Sequence, residues 1–211
     1  MTRLRIVGLA LVAIFALAAV SASAASAHTF KAKPTKKVFP VGIQGSATTT
    51  QTFTSGFGKV ECTKAAATGS ASKEAEETTK QVVDYTGCTS TLGAVAEPIE
   101  AHYLFAANGT ENAEKRLEEV VTVEKPITIS FTGAGCSIKI FATGEEGQKK
   151  LGGIKYENNA AKTELTVNSK TTKIKEKGSG GLCVFGGTEG TYTGSVKGKF
   201  AGGETGELFW E

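Results

Sequence analysis

The chain has 211 residues, 40% of them hydrophobic and 21% charged, with 24 lysines and arginines against 21 acidic side chains. Removing residues 1–27 leaves 184 residues, in which 22 basic side chains face 21 acidic ones. That near-neutral balance excludes a strongly basic nucleic-acid binder. No later segment holds the apolar run of about 18 residues that a membrane-spanning helix needs.

Residues 1–27 read as a secretory signal: Arg3 and Arg5 form a positive start, and an apolar stretch over 6–20 is interrupted only by Gly8. The small residues Ser21-Ala22-Ser23-Ala24-Ala25-Ser26-Ala27 follow. Cleavage after Ala27 makes His28 the first residue, and Ala22-Ser23-Ala24 is a second site. The alternative is an N-terminal anchor, for which the apolar core is short. Lipoprotein anchoring lacks an attachment cysteine. The expected organisation is a signal peptide over 1–27 and one secreted β domain over 28–211. That domain could divide into halves of about 28–110 and 120–211.

Beyond residue 27 the composition is that of a β protein, with 47 Val, Ile and Thr against seven Leu, no Met and 25 glycines. β-Branched side chains lose rotamer freedom in helices and pack well on a pleated surface. Short strand signals occur at 60–62 and 83–85. At 99–105, Ile99, Ala101, Tyr103 and Phe105 alternate with Glu100 and His102. The segment 126–133 puts Ile127, Ile129 and Phe131 on one face. Further runs lie at 138–140, 154–156, 165–167 and 192–200. About a dozen such strands predict an all-β fold, an antiparallel β-sandwich or barrel-like sheets solvated outside.

Two polar segments, 72–80 and 112–119, fit either short surface helices or hairpin loops. Tyr85-Thr86-Gly87-Cys88 is echoed by Tyr192-Thr193-Gly194-Ser195. The four cysteines, Cys62, Cys88, Cys136 and Cys183, form no Cys-x-x-Cys pair and suit disulfides in an oxidising compartment. Three pairings are open; nearest-neighbour pairing, Cys62 with Cys88 and Cys136 with Cys183, is preferred.

The order of motifs carries a resemblance. Ala-His-Thr-Phe at 27–30 precedes Lys59-Val60-Glu61-Cys62, Asp84-Tyr85-Thr86-Gly87-Cys88 and His102-Tyr103-Leu104-Phe105. Gly135-Cys136-Ser137-Ile138, Gly153-Ile154-Lys155-Tyr156-Glu157-Asn158 and Gly190-Thr191-Tyr192-Thr193-Gly194 follow. Taken together they resemble a secreted β-rich protein family with no assigned activity, present as many paralogues in soil actinobacteria. The resemblance implies secretion and an all-β fold. It also implies that two further cysteines, near His102 and Glu124 in relatives, are missing here as a pair.

The catalytic inventory is thin. The chain after residue 27 offers His28, His102, Asp84 and Arg116 as its only His, Asp and Arg residues. No Gly-x-Ser-x-Gly elbow or phosphate-binding glycine loop is present, and one Asp cannot furnish a calcium loop. Glycines at 178–181 and 186–187 read as loop material around Cys183. Glutamates beside lysines, as in Lys73-Glu74, Glu114-Lys115, Glu124-Lys125 and Lys175-Glu176-Lys177, read as a solvated face of balanced charge.

The expected function is an exported, extracellular or cell-envelope protein, structural or ligand-binding, not an enzyme and without a cofactor. A glycan or another cell-surface ligand is one partner this leaves open, with Trp210, Phe209, Tyr192 and Tyr156 as stacking candidates. The alternative is a copper protein using an N-terminal histidine brace of His28 with His102, since imidazole suits copper. Tyr103 falls on the opposite strand face from His102. The pair Phe209-Trp210 has a second reading, as a pin holding the C-terminal tail to the sheet.

Overall fold

The computed structural model describes residues 28–107, 110–111, 117–184 and 188–211. The expected signal over 1–27, most of the polar segment 112–119 and the glycines at 186–187 therefore lie outside the described residues. Fifteen strands are described: β1 (Phe30–Pro34), β2 (Val41–Ala47), β3 (Gln51–Ser55), β4 (Gly58–Ala71), β5 (Ala75–Glu76), β6 (Thr78–Ser90), β7 (Ile99–Ala106) and β8 (Thr110–Glu111). They continue as β9 (Leu117–Val123), β10 (Ile127–Phe131), β11 (Cys136–Ile140), β12 (Leu151–Asn158), β13 (Leu165–Ser179), β14 (Glu189–Phe200) and β15 (Gly206–Trp210).

The all-β expectation holds, and the sheet closes. Neighbours run β2–β4–β6–β7–β9–β12–β13–β14, and β14 pairs back onto β2, so eight antiparallel staves form a ring. Each stave is hydrogen-bonded to the next in chain order, an up-and-down barrel. Three staves are broken. β3 continues β2 along the same neighbours, β4 and β14, and the β10–β11 hairpin prolongs β9 and β12 beyond the excursion at 141–150. Both halves of the chain contribute to the one ring.

The alternation in the sequence decides what faces inward. On β10, Ile127, Ile129 and Phe131 are buried, opposite buried Ile140, Ile138 and Cys136 of β11. On β7, Ile99 and Ala101 point inside while Glu100 lies outside. Each buried Val, Ile or Phe contributes about 1.5–3 kcal/mol relative to an exposed one. Polar side chains outside and apolar ones inside reverse the arrangement a membrane barrel requires. Among the described residues no helix is long and apolar enough to cross a membrane.

A small antiparallel sheet, β15–β1–β5, covers one end of the ring. Phe30 stands opposite Trp210 and Ala32 opposite Leu208, with Phe30, Ala32 and Leu208 buried against the barrel. Thr29 and Glu211 exchange both backbone hydrogen bonds, at 2.6 and 3.1 Å. Asn158 fixes this cap to β12: its side chain donates to the Trp210 carbonyl (2.7 Å) and accepts from the Trp210 N–H (2.8 Å).

Both disulfides follow the preferred pairing, Cys62–Cys88 between β4 and β6 and Cys136–Cys183 between β11 and the turn at 181–184. The second holds the short 3₁₀ turn Gly181–Val184 against β11 and β13. Gly178 makes that approach possible, because a Cβ there would lie 1.8 Å from the Cys183 carbonyl and 2.5 Å from the Phe57 ring. The segment 72–80 is a hairpin connection containing β5 and the start of β6, not a helix.

Candidate functional site

The barrel encloses a cavity of about 160 Å³. Its wall is mostly apolar, drawn from Val83, Ile99, Val121, Ile129, Leu165 and others, with Phe30 and Leu208 as its roof. An eight-stranded ring is just wide enough to be filled by its own side chains or to hold one small ligand. Here filling is incomplete, partly because Gly45, Ala67, Ala71, Gly194 and Gly198 supply little volume.

One side of the wall is polar. Tyr85 on β6, Tyr103 on β7 and Tyr192 on β14 converge inside, with Oη–Oη separations of 3.2 Å (Tyr85–Tyr103) and 3.4 Å (Tyr85–Tyr192). The rings of Tyr85 and Tyr192 meet edge to face at 6.3 Å. The faint echo around these two tyrosines thus brings two phenols together across the ring. Tyr192 donates to Gln51 Oε1, and Gln51, only 2% exposed, donates through Nε2 to the carbonyls of Thr49 (2.6 Å) and Ser195 (3.1 Å). Burial raises the pKa of all three phenols, reinforced at Tyr85 by both neighbours and at Tyr192 by Tyr103. They remain protonated throughout the physiological range.

Thr171 adds a further hydroxyl. It lines the cavity beside Tyr192, is 2% exposed, and its Oγ1 has no hydrogen-bond partner among the described residues.

Glu176 is the residue the sequence reading misplaced. Simple alternation through β13 from Leu165 keeps odd-numbered residues inside and Glu176 outside. The ladder instead shifts between Thr171 and Ile174, where Lys173 takes φ 59°. That bulge turns Ile174 and Glu176 inward. Glu176 is 2% exposed, and neither oxygen has a hydrogen-bond partner of good geometry among the described residues. Burial pushes its pKa up to about 7, opposed by the nearby Gly56 N–H and Ser55 hydroxyl. Gly190 makes room beside it, since a Cβ there would meet the Phe53 ring at 2.8 Å and a Glu176 oxygen at 3.0 Å. The solvated-face expectation therefore fails at Glu176, while Lys175 keeps it by pairing outside with Glu189.

The remaining candidates lie elsewhere. His28 stacks on Trp210, ring centroids 4.7 Å apart, and Trp210 Nε1 donates to the Ala107 carbonyl. His102 is on the outer face of β7, with Nε2 2.6 Å from Glu100 Oε1 and 3.5 Å from Lys125 Nζ. Five residue steps of extended strand, about 17 Å of chain, separate it from Ala107. The structure thus brings Glu100 and Lys125, not His28, to His102. Of the stacking candidates, Tyr156 and Phe209 are buried at 4% and 2% exposure, and Tyr192 faces the interior. Phe209 and Trp210 form the last strand of the cap, as the pinning reading expects.

No protein-family model, curated protein or solved structure matches the chain. The fold and cavity define a class by geometry alone: a closed antiparallel barrel around an apolar chamber with a phenol-lined side.

Proposed function

We propose that this is an exported, non-catalytic binding protein that encloses one small, largely apolar molecule in its barrel. The carrying observation is the chamber of about 160 Å³ inside a closed sheet. An apolar cavity of about 150 Å³ in another protein stays dry and takes up benzene, so the volume suits a single-ring molecule. Buried phenols and an amide suit the orienting of a ligand. Export is supported by the charge and hydropathy pattern of residues 1–27 and by two disulfides, which persist in oxidising compartments.

Thermal unfolding with single-ring probes (toluene, phenol, indole) tests the reading. A ligand at tenfold excess over its Kd adds about 1.4 kcal/mol, a rise of roughly 3–6 °C in Tm. Val83→Phe projects a ring into the chamber and should abolish the shift while preserving the β-sheet spectrum. No shift in the wild type, or an equal shift in Val83→Phe, rejects the reading.

A further inference from the structure

Resting on the enclosed-ligand reading, we infer that the chamber selects a ring bearing a hydrogen-bond donor, a hydroxyl above all, which it receives at the Tyr103 oxygen. The order of protons along the buried chain carries this. Both amide hydrogens of Gln51 are committed to the carbonyls of Thr49 and Ser195, so its oxygen must accept. The opposite amide orientation would set that oxygen against two carbonyl oxygens. Tyr192 therefore spends its single proton on Gln51. Tyr85 must then donate to Tyr192, because otherwise two lone pairs face each other at 3.4 Å. Its proton spent, Tyr85 can only accept from Tyr103 at 3.2 Å.

Three hydroxyls thus point their protons one way, toward Gln51, and the Tyr103 end of the chain offers lone pairs alone. A ligand that donates there extends the chain. One that only accepts meets a lone pair, or takes the Tyr103 proton and breaks the bond to Tyr85. Either way a polar group on the tyrosine chain itself is left unpaired, which costs more than a paired group gains. Thr171, whose rotor serves either sense, can pair with a donor or an acceptor, so the discrimination rests on the tyrosine chain alone.

Methyl NMR titration of the protein with three rings of like size separates the possibilities. Toluene neither donates nor accepts, benzaldehyde accepts only, and phenol donates. The expected order places phenol about tenfold tighter than benzaldehyde, with toluene bound as well. Benzaldehyde binding as tightly as phenol overturns the inference and leaves the enclosed-ligand reading intact. Failure of all three rings rejects both. Gln51→Leu removes the anchor of the proton order, so the phenol preference should shrink severalfold with toluene affinity within about twofold. An undiminished preference in a folded Gln51→Leu protein also overturns it. Should that variant not fold, the wild-type ranking decides alone.

Discussion

At the scale of single residues, Glu176 is the most consequential placement. Its carboxyl titrates near 7 in the folded chain against an ordinary 4.5. The folded state thus binds more protons than the unfolded state between those values, and stability falls as pH rises through the window. The loss is complete above pH 7 and absent below about pH 4, and amounts to about 3 kcal/mol at most. Glu176→Gln should flatten this slope and leave the protein more stable than wild type at pH 8. Urea unfolding at pH 5 and pH 8 checks both. The residue was invisible to sequence reading for a definite reason: Lys175-Glu176-Lys177 carries no mark that a bulge two residues upstream reverses which of the three faces inward.

At the scale of elements, strands were legible wherever alternation was uninterrupted. The stretch 126–133 became β10, 99–105 lies within β7, and 192–200 falls inside β14. Their inward faces follow from the period of two. Closure was not legible, because it depends on β14 meeting β2 across most of the chain, and no local pattern encodes that pairing. The convergence of Tyr85, Tyr103 and Tyr192 depends on the same closure. The cap depends on individual polar contacts, Asn158 foremost. Asn158→Ala removes two hydrogen bonds to Trp210 from a largely exposed position, so the expected cost is about 1 kcal/mol. It should speed amide exchange at Trp210 while leaving exchange in β10 and β11 unchanged.

At the scale of the whole molecule, the ring and its two bridges set the stability. Cys136–Cys183 closes 47 residues of sequence, which in the chain-entropy account adds about 4 kcal/mol. Replacing both cysteines by serine should lower the denaturation midpoint accordingly, measured by guanidinium unfolding beside the wild type under oxidising conditions. A bridge of this kind constrains the unfolded chain more than it shapes the chamber, so ligand affinity should change little.

The mutual hydrogen bonds of Thr29 and Glu211 carry a mechanical meaning. These two residues lie side by side on neighbouring antiparallel strands, so a force drawing them apart loads the β1–β15 ladder one rung at a time. Peeling of that kind yields at lower force than shear, in which all rungs resist together. The first strands to leave are those carrying Phe30 and Leu208. A tether attached at both ends would therefore unroof the chamber before any stave of the ring bore tension.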